Sequence, residues 1–313
     1  MILITGASGF IGEALIRKII ANDIYKNVKA VYRNNNNKSI IEGVDPVFFT
    51  EPFNLVDWYD SLVGVKVVIH CAALAPVLNE FANFSLDDYR RVNVDGTMNL
   101  AQQAAKSGVK RFVFISTIKV NGEYTSFGKP FTADDKPAPS DAYGISKLEA
   151  EIKLFELSKL TSMEIVIIRP PLVYGNGVKG NFKSLIKILK LGIPFPLLGV
   201  KNARSMVALD NLLHLLIICI NHPNAVGNIF LVSDGNDLST PELFYNLGKA
   251  LNVNVFLFNF PVTLLNYLSI ILGKHAMFKR LSYSLQVDIT KTIRLLDWEP
   301  IISVNEGLKK VVE

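Results

Sequence analysis

The sequence predicts an α/β fold: a doubly wound parallel sheet with a smaller, partly discontinuous C-terminal region. Three observations predict it. Residues 2–5, 28–32, 67–71, 112–116 and 165–168 are short apolar runs without alternation, the pattern of strands buried on both faces. Amphipathic stretches at 12–21, 89–107 and 143–160 lie between them, so strand and helix alternate through the first half. The first strand also runs directly into a glycine-rich turn that opens a helix, Thr5-Gly6-Ala7-Ser8-Gly9-Phe10-Ile11-Gly12.

That turn has a chemical reason. Gly6 permits the reversal, Gly9 lets backbone approach a pyrophosphate, and Gly12 lets the helix pack close to the strand. The amides around Ser8, Phe10 and Ile11 then form an anion site at a helix N-terminus, as in Rossmann dinucleotide-binding units. The second strand ends at Arg33, followed by the asparagine tract 34–37, read as an exposed loop, and Lys38. An acidic residue at this place binds a ribose 2′-hydroxyl, whereas Arg accommodates a 2′-phosphate. Arg33, helped by Lys38, therefore favours NADP(H); NAD(H) stays open, and a solvating surface Arg is the plain alternative.

The second half is less regular. Residues 182–191 read as a helix and 228–232 as a strand, while Ser239-Thr240-Pro241-Glu242 carries the cap, Pro and Glu of a helix start. These patterns divide the chain into a dinucleotide-binding domain at 1–170, with 207–235 returning to it, and a substrate-binding region from 171–206 and 236–313. The apolar stretch 255–273 is broken by Asn259, Pro261 and Asn266. Its Leu264, Leu265, Leu268, Ile271 and Leu272 share one helical face, expected to pack against the protein rather than enter a membrane.

Composition removes other classes. The net charge is +5 without a dense basic run, so no nucleic-acid partner is expected. The two cysteines, Cys71 and Cys219, lie in apolar runs and indicate no disulfide framework. No metal-ligand spacing stands out. No signal peptide is expected at the apolar start, so the expected location is the cytoplasm, without stable membrane insertion. A homodimer is allowed by everything above.

Two further motifs carry chemistry. Tyr143 and Lys147 are four apart at the start of a helical pattern, which puts them on one face. A neighbouring ammonium is expected to lower a phenol's pKa and fit it for proton transfer. Ser116-Thr117 ends an apolar strand at the sheet's carboxyl edge, where a hydroxyl can hydrogen-bond a substrate oxygen or simply cap backbone.

Together these pieces resemble the extended short-chain dehydrogenase/reductase family, which includes sugar-nucleotide epimerases, dehydratases and reductases. The resemblance covers essentially the whole chain. It rests on the TGxxGxxG loop at Thr5–Gly12, His70-Cys71-Ala72-Ala73, Asn93-Val94-Asp95-Gly96-Thr97, the YxxxK pair Tyr143/Lys147, and Arg169-Pro170-Pro171-Leu172-Val173-Tyr174-Gly175. It implies catalysis by Thr117, Tyr143 and Lys147. It implies cofactor contacts at Asn54, Leu55, Ala72, Ala73, Asn93, Pro170 and Val173 besides the loop. It also implies that a UDP-sugar is held by Ser116, Thr117, Asn181, Arg204 and Arg280.

The chain departs from the common pattern as well. Ile118-Lys119 follows Thr117 where 4,6-dehydratases carry an acidic pair, Asn121-Gly122 replaces a usual Tyr-Gly, and the position that commonly contacts adenine holds Asn54. Residues 116–123 and 281–288 look similar to reductases forming UDP-N-acetylquinovosamine. The expectation is therefore reduction of the C4 ketone of a UDP-4-keto-6-deoxy-N-acetylhexosamine. The alternative is a UDP-hexose or UDP-N-acetylhexosamine 4-epimerase with tightly bound NAD.

Overall fold

A computed structural model describes residues 1–33, 40–76, 84–178 and 181–312, without the side chains of Asn181 and Lys183. The chain begins with β1 (Ile2–Thr5), α1 (Phe10–Ala21), β2 (Val28–Arg33), β3 (Asp45–Phe49), α2 (Tyr59–Leu62) and β4 (Val67–His70). It continues through α3 (Leu86–Arg90), a π-helical turn at Arg91–Gly96, α4 (Thr97–Lys106), β5 (Arg111–Ile115) and a 3-10 turn at Ile118–Val120. Then follow α5 (Ala142–Leu160), β6 (Glu164–Arg169), β7 (Leu172–Tyr174), α6 (Asn181–Leu189), β8 (Met206–Ala208), α7 (Leu209–Asn221) and β9 (Ile229–Leu231). Helices α8 (Thr240–Leu251), α9 (Val262–Ile271), α10 (His275–Ser282), α11 (Thr290–Leu296) and α12 (Val304–Lys310) complete it.

Seven parallel strands form the main sheet in the order β3-β2-β1-β4-β5-β6-β9. Strands β1, β4 and β5 are buried along their whole length because helices cover both faces, which explains their unbroken apolar sequences. On one face Leu15 and Ile16 of α1 meet Leu212 and Leu216 of α7; on the other, Leu100, Ala104 and Leu154 pack with Trp58 and Phe112. Each such side chain contributes roughly 1.5–3 kcal/mol by leaving water. The strand order reverses between β1 and β4, and that switch point opens a crevice at the carboxyl ends, where such sheets bind ligands.

Strand β3 escapes the apolar-run criterion because it lies on the sheet edge, where only Phe49 is buried and Pro46 is tolerated. A separate C-terminal cluster joins Tyr174, Phe182, Leu189, Phe244, Leu247 and Leu308. The expected start of α8 forms as a capping box, with Ser239 accepting from Glu242 N and the Glu242 carboxylate accepting from Ser239 N. Helix α9 differs from expectation. Its leucine face stays largely uncovered, with Leu264, Leu268, Ile271 and Leu272 exposed and only Ser269 buried within the helix.

Candidate active site

The glycine turn is held by close contacts that side chains would break. Gly6 has φ +70°, and a Cβ on Gly12 would meet the Gly6 carbonyl oxygen at 2.3 Å. The N-cap of α1 is Gly9, which brings no side chain to the first amides of the helix. These features fit a dinucleotide pyrophosphate. Arg33 lies exposed at the carboxyl end of β2, with no ion pair among the described residues. Lys38 lies outside the described residues.

A buried relay, not foreseen from the sequence, fixes this turn. Thr5 Oγ1 lies 2.7 Å from His70 Nδ1, and His70 Nε2 lies 3.0 Å from Thr97 Oγ1. The Thr97 hydroxyl donates to the Asn93 carbonyl, so it must accept from His70 Nε2–H. Nδ1 is then the acceptor, Thr5 donates to it, and Thr5 Oγ1 in turn accepts from Ala72 N at 3.2 Å. Burial, helped by the charge of Lys147, pushes the His70 pKa down to about 3, so this tautomer stays neutral. Ala72 is thereby held against Gly6, 2.9 Å from where a Cβ would stand. Ala73 follows it into the exposed mouth of the crevice.

Helix α5 delivers Tyr143 and Lys147. Asp141 caps it, accepting from Gly144 N at 2.7 Å, and its second oxygen receives the ammonium of Lys119. A Cβ on Gly144 would lie 3.0 Å from the Lys119 carbonyl, so the first turn of α5 sits against the turn that follows Thr117. The Thr117 hydroxyl accepts weakly from Lys119 N at 3.3 Å and keeps its own hydrogen for another partner. Tyr143 stacks at a tilt on Tyr89, and its hydroxyl has no protein partner among the described residues. The structure thus brings the phenol, the amine and the alcohol to one sheet edge.

One expectation is corrected here. Burial raises the Tyr143 phenol above its ordinary pKa, with Asp141 and Tyr89 adding to the effect. Burial outweighs the neighbouring amine of Lys147, which is itself buried and has its own pKa lowered to about 7. Lys147 Nζ stands 3.8 Å over the Phe114 ring, in place of a hydrogen-bonded anion.

Ser116 and Asn93 are placed differently from expectation. The Ser116 hydroxyl donates to buried Glu151, which also receives Arg169 at 2.5 Å, while Arg169 donates to Asn121 at 2.9 Å. Ser116 therefore has no hydrogen left for a substrate. The Asn93 amide donates to the Leu74 carbonyl and the Ser146 hydroxyl and accepts from Leu74 N, so it clamps the crevice wall to α5 with no donor to spare. It sits in the π-helical turn, a distortion frequent at functional sites. Pro170 is buried and accepts from Ile118 N, Val173 packs on the core, Asn54 is half-buried, and Leu55 is exposed.

The other expected substrate residues gather at the C-terminal region. Arg204 pairs by backbone with Leu238 and Leu285, and its guanidinium donates to the Tyr283 carbonyl. Burial lowers its pKa, and the nearby charge of Arg280 lowers it further. Neither arginine meets a carboxylate among the described residues, which suits a diphosphate. Tyr124 and Tyr283, at 4.9 Å edge-on, adjoin them and were not foreseen. The loop after Thr117 ties the two centres, since Thr125 N donates to Ser284 O and Phe131 N to Gln286 O. Asn181 begins α6.

Comparison with known proteins then decides the family. Residues 2–233 match the model of the NAD dependent epimerase/dehydratase family. The chain belongs to that family. A UDP-glucose 4-epimerase of Vibrio cholerae is 43% identical over 100% of this chain and 94% of its own length. An N-acetyl-alpha-D-glucosaminyl-diphospho-ditrans,octacis-undecaprenol 4-epimerase of Escherichia coli O157:H7 is 28% identical over 84% of this chain and 76% of its own. Among solved structures, the UDP-glucose 4-epimerase of Thermotoga maritima with UDP-glucose has a TM-score of 0.77, 23% identity, and coverage of 99% and 97%. The UDP-glucuronic acid 4-epimerase of Bacillus cereus with NAD gives a TM-score of 0.75 at 21% identity, with the same coverage.

Within this family member, the residues that sequence reasoning missed besides Tyr124 and Tyr283 are positioning groups: His70, Lys119, Asp141, Glu151 and Arg169. Asp141 alone carried a local signal, as an Asp directly before a helical pattern. The other four show their partners only after folding. A surface depression lined by Asp87, Arg90, Arg91, Asp95, Glu149 and Lys153 is a second concavity, but its Arg90–Glu149 pair is satisfied and solvated.

Proposed function

We propose that this chain is a UDP-hexose 4-epimerase, acting on a UDP-hexose or its N-acetylated form, that keeps one NAD bound through each turnover. The observation that carries the reading is its likeness along its whole length to the Vibrio cholerae UDP-glucose 4-epimerase. The comparisons support this alternative rather than reduction of a 4-keto sugar by consumed NAD(P)H.

In the proposed reaction Tyr143, ionised once the positive charge of a bound oxidised nicotinamide offsets the burial that raises its pKa, takes the proton of the C4 hydroxyl while Thr117 hydrogen-bonds that oxygen. The bound nicotinamide supplies the chemistry of storing the C4 hydride and returning it. Lys147, buried one helical turn from the tyrosine and near Cys71 of the crevice wall, would hold the nicotinamide ribose. Arg204 and Arg280 keep the diphosphate fixed while the sugar ring presents its opposite face, and Tyr143 then gives the proton back. No net oxidant or reductant is used.

NAD is the proposed cofactor, as in the Bacillus cereus structure. Arg33 is the residue that would favour a 2′-phosphate instead, so the nucleotide released on denaturation identifies its role. The test of function is to incubate purified protein with UDP-glucose, and separately with UDP-N-acetylglucosamine, without added nicotinamide. Appearance of the C4 epimer by proton NMR is expected; turnover only of a 4-keto sugar with stoichiometric loss of NAD(P)H contradicts the reading.

A further inference from the structure

We propose that the face built from α9, α10 and the adjoining residues 191–199 docks on the surface of an anionic lipid bilayer. The apolar part of this face is unusual for a water-facing surface. On α9 and its end, Tyr267 is 63% exposed, Ile271 64% and Leu272 69%. Beside them Phe256 is 58% exposed and Leu191 70%. The elements that carry these groups meet near the start of α9: Phe195 N donates to Phe256 O at 2.8 Å and Phe258 N to Phe195 O at 3.0 Å, while Gly199 lies against Asn259 and Val262. Contiguous apolar patches of this kind mark interaction surfaces.

Charge identifies the occupant. Residues 243–287 contain no Asp or Glu; apart from Arg280, which faces Arg204 and Tyr124 in the crevice, they carry Lys249, Lys274 and Lys279. Residues 165–209, which supply the adjoining loop, also contain no acid and include Lys187, Lys190 and Lys201. Both segments of this face are therefore basic and apolar with no counter-charge of their own. That combination, with Tyr267 and Phe256 among the exposed groups, matches an interfacial helix lying along negatively charged headgroups. A symmetric contact between two copies would instead set the same basic surface against itself. No helix among the described residues is long and apolar enough to cross a membrane, so the contact is with the surface.

The proposal stands independently of the epimerase reading, and its test uses a different readout. The full-length protein is sedimented with vesicles of phosphatidylcholine alone and with vesicles containing phosphatidylglycerol. Partition onto the anionic vesicles is expected to exceed that onto the neutral ones by about tenfold or more, and to fall as salt is raised. The double variant Ile271→Glu/Leu272→Glu is expected to lose about tenfold or more of that partition, and Lys274→Glu a smaller part. Each variant is expected to keep the wild-type thermal midpoint and bound nucleotide, since these side chains are exposed. Equal partition of variant and wild type, or no partition onto either vesicle, overturns the proposal. So does a halving of the solution mass in the double variant without vesicle binding, which would assign the face to a second copy of the chain.

Discussion

Replacing Lys147 by Met is predicted to stabilise the nucleotide-free protein while removing its activity. The amine is 1% exposed, and burial moves its pKa from 10.5 to about 7. At about 1.4 kcal/mol per pH unit, the ammonium is disfavoured by about 5 kcal/mol in the folded state. The contact with Phe114 offsets about 1–2 kcal/mol of that. Met keeps the stem's packing without the charge, so the gain near pH 7 is about 3 kcal/mol. With an unfolding entropy of about 2 cal/mol/K per residue, the midpoint of the 313-residue chain should rise by roughly 4–5 °C.

The sign with pH follows from the same numbers. Below about pH 7 both states hold the proton and the penalty is complete. Between about 7 and 10.5 the unfolded chain binds more protons, so wild-type stability from this group rises with pH. The Met variant should lack that rise. Calorimetry or denaturant titration of nucleotide-stripped wild type and variant from pH 6 upward measures both effects. A variant less stable than wild type by about 1 kcal/mol or more, with an unchanged pH slope, refutes the reasoning, because it would mean the amine is charged and well paired.

Tyr143→Phe should lower turnover by about a hundredfold or more, as expected for loss of a general acid–base group, while retaining bound nucleotide and fold; near-normal turnover removes Tyr143 from that role. Gly12→Ala places a methyl 2.3 Å from the Gly6 carbonyl, so it should destabilise by about 1–3 kcal/mol and release nucleotide, read from the midpoint and the absorbance of denatured protein. Arg204→Ala and Arg280→Ala should each raise KM for the UDP-sugar about tenfold or more and weaken inhibition by UDP, with kcat changed less. Nucleotide extracted from wild type should be NAD; recovery of NADP would instead give Arg33 a 2′-phosphate to hold.

Much of the fold was legible because its signals are local. A glycine turn directly after the first apolar run, and runs buried on both faces, need no knowledge of partners. Tyr143 and Lys147 were equally legible, since one helical turn places them. What the sequence hid depends on distance. Ser116 reads as a free strand-end hydroxyl until Glu151, 35 residues on, is seen to accept its proton. The approach of Arg204 to Arg280 depends on backbone pairing of Arg204 with Leu285. Spacing suggested that Lys147 would acidify the phenol, but spacing carries no information about desolvation, and burial reverses the direction. On α9 the periodicity was genuine, but whether anything covers an apolar face is a tertiary question.

The central claim is that hydride leaves C4 and returns to C4 within one binding event. It is tested most directly with a UDP-hexose deuterated at C4, incubated in ordinary water without added nicotinamide. The account predicts that the C4 epimer forms with its deuterium retained. Product bearing ordinary hydrogen at C4, or product formed only when reduced cofactor is supplied, would contradict it.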